Sequence, residues 1–476
     1  MFHCRIRSCF LPKRQTTSIA MDSDNNPPDS RESDETYILV TGTNSGLGFS
    51  ICCRAIDEFL ATRPESKSLT LLFTSRSSKK SAETLSQLQA HLNGSATKYR
   101  TCKDRVTLRP EHVDLANLLS VRALSRRLLT SLPKLDAVIL NAGIAGFTGI
   151  NWFKAIYLVL TDLVNAVTYP AEFTLSSKGV LVKKQTSQPD EPPLGNVFCS
   201  NVFGHYMLSH ALMPLLSASE VTPGRIIWIS SLEATSADLD LSDLQALNTR
   251  CAYQSSKRLT DVLALTSDLP GSSPWVDSYL STSNPSATAK LQQSRTRNPN
   301  RTTAHSKPQI YIAHPGICGT GIMPLLPPLF YAMIAAFWLA RMLGSPWHTI
   351  STYSGACAPV WLALTPQSVL DAAEGVYARL GGGKPKWGSS SDRLGRQSAV
   401  STEVEGWGYG GVVGAAVLEG DKKRRRKDGA TDLTAEEKVE FEELGRRCWR
   451  EMEELRARWE KILEKEEEAR GILSGL

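Results

Sequence analysis

Thr41-Gly42-Thr43-Asn44-Ser45-Gly46-Leu47-Gly48 decides the fold of this chain. It follows a short apolar run, Tyr37 to Val40, and precedes a helical pattern that continues to Leu60. Strand, glycine-rich turn and helix in that order make the first unit of a doubly wound α/β sheet. Each glycine serves a mechanical purpose. Gly42 permits the tight turn, Gly46 lets the backbone approach a pyrophosphate, and Gly48 lets helix and strand pack closely. The helix N-terminus then holds the anion.

Downstream segments repeat the alternation. Leu69 to Thr74 is a second apolar run, ending at Ser75-Arg76-Ser77-Ser78-Lys79-Lys80. In such a fold this strand end lies beside the adenine ribose, where an acid accepts a 2′-hydroxyl and a cation suits a 2′-phosphate. Arg76, with two lysines nearby and no acid, points to NADP(H). Val106 to Leu108, a helical stretch from Asn117 to Leu132, and Ala137-Val138-Ile139-Leu140-Asn141-Ala142-Gly143 follow. A helical pattern over Asn196 to Leu216 contains Asn201, and Ile226 to Ile229 ends in Ser230-Ser231. The sheet is therefore expected to be parallel, with helices on both faces.

Tyr253-Gln254-Ser255-Ser256-Lys257 opens the next helix. Four residues apart, Tyr253 and Lys257 share a helix face. An ammonium beside a phenol is expected to lower its pKa and make it a proton donor near neutral pH. A serine at a strand's C-terminal end can hydrogen-bond the carbonyl oxygen that receives the proton. By itself a Y-x-x-x-K is chance in most proteins; its place after the fifth strand gives it meaning.

The ordered set T-G-T-N-S-G-L-G, L-N-A-G, N-V-F-G-H, I-S-S, Y-Q-S-S-K and H-P-G-I-C-G-T resembles the short-chain dehydrogenase/reductase family, over about Tyr37 to Thr320. The resemblance implies Tyr253 as acid/base, Lys257 as its partner that also holds the cofactor ribose, and Ser231 as carbonyl orienter. Asn201 then supports a water-mediated proton relay. It places Gly42, Asn44, Gly46, Leu47, Gly48, Arg76, Asp114 and Asn141 along the cofactor, and Pro315, Gly316, Ile317 and Thr320 at its nicotinamide end. Two departures stand out. Leu140 occupies a position where the family usually has asparagine, and Ser231 precedes Tyr253 by 22 positions, with an acidic loop between them. Loop-closure cost grows slowly with length, so the fold tolerates the longer spacing.

Three additions exceed a minimal domain. The insertion at 145–195 carries Trp152, Phe153, Ile156, Tyr157, Leu158, Leu160, Leu163 and Val164, an apolar helix near substrate entry. Residues 325–340 (LLPPLFYAMIAAFWLA) are short for a spanning helix, which needs about 20 residues. They read as a lid or monotopic segment rather than a core helix. The stretch 272–307 is Ser/Thr/Asn/Pro/Arg-rich and reads as a disordered excursion.

Residues 1–35 read as a disordered tail, with Met21 an alternative start, and residues 36–365 as the catalytic domain. Residues 366–430 then form a loop-rich linker containing G-W-G-Y-G-G and the basic run KKRRRK at 422–427, whose plainest reading is a solvated surface. At 431–470, Thr434-Ala435-Glu436-Glu437 starts a long helix as a capping box. Its apolar stripe Phe441, Leu444, Cys448, Met452, Leu455, Trp459 and Ile462 needs a partner, in this chain or another.

Composition sets outer bounds. Of 476 residues, 41% are hydrophobic and 21% charged, which excludes a collagen, a wholly disordered chain and a polytopic membrane protein. The 54 basic against 48 acidic side chains imply no nucleic-acid partner. Ten scattered cysteines without C-x-x-C or H-E-x-x-H argue against a zinc module or disulfide framework and for a reducing compartment. The sequons at Asn93 and Asn300 then carry no glycan.

The added apolar segments imply a bulky, apolar ketone. The opening Y-I-L-V-T-G-T-N-S-G-L-G-F, the insertion after Asn141, the G-W-G-Y-G-G loop and the terminal helix together resemble the fungal 3-keto-steroid reductases of ergosterol synthesis. This resemblance implies NADPH-dependent reduction of a 3-ketosterol to the 3β-hydroxysterol in C-4 demethylation. It implies residence at the cytosolic face of the endoplasmic reticulum membrane or on lipid droplets. It also implies a complex with the other C-4 demethylation enzymes, with the terminal stripe as a docking element. The alternatives are a reductase of another lipid, retinoid or polyketide ketone, or a non-catalytic scaffold.

Overall fold

The computed structural model describes residues 35–95, 99, 101–219, 222–281, 307–320 and 325–472. The expected tail at 1–34 and the middle of the polar excursion at 282–306 lie outside them. One sheet dominates. Its strands are β1 (Glu35–Val40), β2 (Ser68–Ser75), β3 (Val106–His112), β4 (Ala137–Leu140), β7 (Arg225–Ile229), β8 (Gln309–His314), β9 (Lys386–Ser391) and β10 (Gln397–Thr402). Between β4 and β7 in the chain, β5 (Phe147–Ile150) and β6 (Thr174–Ser176) form a separate hairpin in the insertion. The main sheet runs in the order β3-β2-β1-β4-β7-β8-β9-β10. All its neighbours pair parallel except β10, which runs antiparallel to β9.

Period-two alternation splits the strand side chains between two cores. Leu39, Val138, Leu140, Ile226, Trp228, Ile310 and Ile312 face one cluster, with Leu124, Phe203 and Leu259 from the covering helices. Ile38, Val40, Ala137, Ile139, Ile227, Ile229 and Ala313 face the other, with Ile51, Phe59 and Val360. Both faces are covered, which is why these strands read as unbroken apolar runs. The order reverses between β2-β1 and β4, and at that switch the C-terminal strand ends leave a crevice for ligands.

The reading of 366–430 as a loop-rich linker is corrected. This segment supplies a helix, Gln367–Ala378, and then β9 and β10 of the main sheet. Their sequences, K-W-G-S-S-S and Q-S-A-V-S-T, lack the β-branched apolar run that marks a buried strand. β9 is nevertheless wholly buried, with partners for most of its polar side chains: the Ser389 hydroxyl donates to the Gly355 carbonyl (2.7 Å) and accepts the Ala358 N–H (2.9 Å), while the buried Ser391 hydroxyl finds none among the described residues. The excursion at 272–307 is corrected at its start, where Ser273–Leu280 is a helix with Val276 and Tyr279 buried.

The terminal helix, Ala435–Ala469, begins with the expected capping box. Thr434 Oγ1 accepts the Glu437 N–H (3.1 Å), and the Glu437 carboxylate accepts the Thr434 N–H (2.9 Å). Its stripe packs into the molecule's own core. Phe441, Cys448, Trp449, Met452, Trp459 and Ile462 are buried in the cluster that holds Leu259, Leu263 and Tyr279. Trp449 donates to the Leu263 carbonyl (3.1 Å), and Trp407 of the G-W-G-Y-G-G loop stacks on Phe441 at 5.1 Å. The stripe's partner is therefore this chain, which corrects its reading as a docking element.

No helix among the described residues is long and apolar enough to cross a membrane. The apolar stretch at 325–340 becomes a helix, Pro327–Met342, with its prolines in the first turn, where a missing N–H costs nothing. Only Phe337, Ala340 and Arg341 of it are buried, so it is not a core helix. It packs through Phe337 and Ala340 on Val164 and Val167 of the insertion helix Leu163–Thr168.

Candidate active site

A cavity of about 890 Å³ follows the C-terminal strand ends and continues between the added helices. Its first half is lined by Gly42, Asn44, Gly46, Leu47, Gly48, Arg76, Asp114 and Asn141. Its middle is lined by Ser231, Tyr253, Lys257, Pro315, Gly316, Ile317 and Thr320. Every sequence-predicted site residue except Asn201 therefore meets in one crevice. The far half is apolar, with Trp152, Ile156 and Leu160 from the insertion helix Trp152–Thr161, and Leu329, Met333 and Phe337 from Pro327–Met342.

The glycine loop is a tight turn with one open side. Gly42 and Gly46 have φ of +69° and +60°, and nothing stands within 4 Å of where a Gly46 side chain would point. A Cβ at Gly48 would collide with the Gly42 carbonyl oxygen and the Asn141 amide. Asn141 braces this turn, its amide donating to the Thr41 (2.9 Å) and Gly42 (3.2 Å) carbonyls. Thr41 Oγ1 accepts the N–H groups of Asn141 (2.9 Å) and Ala142 (3.0 Å). Leu140, in the place of the family's asparagine, packs into the core.

At one end of the crevice Arg76 is exposed on the rim, just before the helix Ser78–Ser95, whose first turn carries no acid. The Asp114 carboxylate accepts the Ala116 N–H (3.1 Å), fixing the loop after β3. At the other end Gly316, with φ +68°, passes where any side chain would strike the Trp347 carbonyl oxygen. Its N–H donates to His314 Nδ1 (3.1 Å), and His314 Nε2 bonds Thr402 Oγ1 (2.7 Å). Burial pushes His314 well below its ordinary pKa, so the ring is neutral with its proton on Nε2. Strand β10 thereby holds the Pro315-Gly316-Ile317 turn.

Tyr253 and Lys257 lie on the helix Ala252–Leu265. The ammonium sits over the phenol face, 5.6 Å from the ring centroid, and donates to the Ile229 carbonyl (2.8 Å). Phe147 of the insertion meets the Tyr253 ring edge-on at 5.7 Å. The expected lowering of the phenol pKa is not what this arrangement produces. Burial, then the Glu233 carboxylate and more weakly Cys318, push Tyr253 above its ordinary value, and a hydrogen bond with Ser231 opposes them. The ammonium touches the ring face and a main-chain oxygen rather than the hydroxyl. Tyr253 is thus protonated throughout the neutral range, the form a proton donor requires.

Asn201 is a brace. It lies in a one-turn π-helical segment, Cys199–Phe203, between Asn196–Phe198 and Gly204–Ala211. Oδ1 accepts the Ile144 N–H (2.8 Å); Nδ2 donates to the Ile144 carbonyl (2.9 Å) and Ser256 Oγ (3.0 Å). Its own carbonyl bonds His205 Nδ1 (3.2 Å), and His205 Nε2 meets Thr41 Oγ1 at 2.9 Å. Burial takes His205 down to about 3, so the ring is neutral and links the glycine turn to this helix. In this geometry Asn201 ties the loop after β4 to the π-helical turn.

Sequence reasoning misses the parts played by Thr41, His205, His314 and Thr402. His205 is visible inside N-V-F-G-H, but the histidines and threonines act only through contacts between distant segments, which local pattern does not display.

No family model matches the chain. It is 58% identical over 439 residues to the 3-keto-steroid reductase erg27 of Aspergillus fumigatus, covering 90% of this chain and 95% of that protein. The 3-keto-steroid reductase ERG27 of Gibberella zeae is 38% identical, with 90% and 95% covered. That of Schizosaccharomyces pombe is 33% identical, with 78% and 90% covered. The crevice at the switch point, the Ser231–Tyr253–Lys257 set within it and this similarity along nearly the whole length agree: the chain belongs to the 3-keto-steroid reductases, on a short-chain dehydrogenase/reductase fold.

Proposed function

We propose that this protein reduces a 3-ketosterol to the 3β-hydroxysterol with NADPH, in the C-4 demethylation stage of ergosterol synthesis. The observation that carries this reading is the meeting of a glycine-loop groove and an apolar chamber at Tyr253 and Ser231. Sterol rings are nearly all hydrocarbon, and burying them is worth roughly 25 cal/mol per Å². The open side of Gly46, the Gly48 close approach and the Gly316 turn fit a dinucleotide along the groove. Gly42 to Gly48 would hold the pyrophosphate, Asp114 and Asn141 the adenosine side, Arg76 the 2′-phosphate, Lys257 the ribose, and Pro315 to Thr320 the carboxamide end. When bound, the nicotinamide supplies the hydride. Tyr253 gives its hydroxyl proton to the ketone oxygen, Ser231 orients that oxygen, and the Trp152–Thr161 and Pro327–Met342 helices exclude water.

The test is turnover of purified protein with a 3-ketosterol against a smaller cyclic ketone, each with NADPH and NADH. NADPH turnover restricted to the small ketone defeats the sterol reading. Arg76→Ala is expected to raise KM for NADPH about tenfold while leaving NADH unchanged, from the loss of a charge-assisted contact; equal effects on both cofactors count against its role. A second expectation concerns pH. Burial brings Lys257 down to about 8, with Asp261 opposing and Lys386 adding to the fall. Lys257 loses its charge as pH rises through that value, so kcat/KM should decline above about pH 8. A profile still flat well above it would mean that the charge is dispensable.

Membrane residence is part of the same proposal. Phe153 (91% exposed), Leu160 (80%) and Tyr331 (72%) project from the two helices that line the chamber. Such a surface supports peripheral seating at the cytosolic face of the endoplasmic reticulum or on lipid droplets, where the substrate dissolves. The other C-4 demethylation enzymes are its proposed neighbours there, through a surface other than the terminal stripe.

A further inference from the structure

Behind the serine loop lies an ion pair that no sequence motif announces. Lys386 of β9 and Asp261 of the Tyr253 helix are buried, with Nζ and Oδ2 2.6 Å apart. The same ammonium donates to the Ser231 carbonyl (2.6 Å) and Ser230 Oγ (3.2 Å). Its three donors are thus all engaged. Lys257, one turn before Asp261, donates to the Ile229 carbonyl. Two buried ammonium groups therefore grip alternate carbonyls, 229 and 231, of the segment that carries the serine. The Ser230 N–H is tied in turn to the Ala313 carbonyl on β8 (2.7 Å).

Burying such a pair is seldom the most stabilising choice, since apolar side chains of similar volume do as well or better. A positional role accounts for it here. Ser231 Oγ accepts the Glu233 N–H (3.2 Å), so the hydroxyl's place depends on how the Ser231–Glu233 turn is set. We propose that the Lys386–Asp261 pair is a positioning device for Ser231, fixing the peptide that follows it so that the hydroxyl stays beside Tyr253. The proposal rests on the reductase reading for what Ser231 does, and on the contacts alone for how it is held.

Removing Lys386 alone strands the Asp261 carboxylate, and that variant can fail by misfolding. The informative variant combines Lys386→Met with Asp261→Asn, which removes both charges of the pair together. Its cooperative unfolding is expected to remain, and NADPH binding and ketosterol KM to stay close to those of the unaltered chain. Its kcat is expected to fall about tenfold or more through misplacement of the hydroxyl. Backbone amide exchange at 230–234 should quicken relative to the rest of the sheet. Unchanged kcat overturns the proposal, as does unchanged exchange at 230–234. If the unaltered protein reduces no ketosterol, the functional reading fails, and the exchange comparison still decides how Ser231 is held.

Discussion

Tyr253→Phe is expected to lower kcat for the 3-ketosterol by about 10²–10⁴-fold while NADPH binding stays within about twofold. The substitution removes one hydroxyl and keeps the ring that Phe147 meets edge-on and that Lys257 overlies. The packing of the Ala252–Leu265 helix is untouched, so the loss isolates the donated proton. Stopped-flow turnover together with cofactor fluorescence measures both quantities. Turnover within tenfold of the unaltered protein would mean that another group delivers the proton, and the assignment of the acid would have to move. Because burial and Glu233 raise the phenol's pKa, loss of the donor itself is expected only far on the alkaline side of neutrality.

Trp459→Ala is expected to cost about 3–5 kcal/mol of folding stability, the range for emptying a buried aromatic site. Trp459 is fully buried in the cluster shared with Leu259 and Leu263 of the Tyr253 helix. Polar ties run alongside: Glu453 accepts the Tyr206 hydroxyl (2.7 Å) and that of Ser278 (2.6 Å), and pairs with Arg456 (2.7 Å). Against a total stability of about 5–15 kcal/mol, such a loss is a large fraction. Lys461→Ala, at an exposed position two residues on, should stay within about 0.5 kcal/mol. Denaturant midpoints that move equally for both would show that the helix is not part of the core.

What the sequence discloses, and what it hides, follows from where each contact is made. β1, β4, β7 and β8 are legible because both their faces are buried and their residues are apolar in unbroken runs. The glycine loop, Tyr253 and Lys257 are legible because their chemistry depends on spacing within one turn or one helix. β9 and β10 are not, since serines and a lysine do not mark a buried strand, and Lys386, Ser389 and Ser390 find their partners in distant segments. The same holds for His205 and His314, whose neutral rings link the loops along the crevice. The terminal stripe is legible as apolar and in need of a partner. Its destination is not, because periodicity gives the face of a helix and not what it meets.

The helix at 435–469 leaves the ribosome after every segment it supports. Trp449 bonds a carbonyl 186 positions earlier, so the Tyr253 helix keeps an uncovered apolar flank until the terminal helix has been made. A nascent chain halted before Thr434 would carry the complete set of proposed reacting groups and still lack the wall behind them. For that interval the bare flank is open to association with other exposed apolar surface.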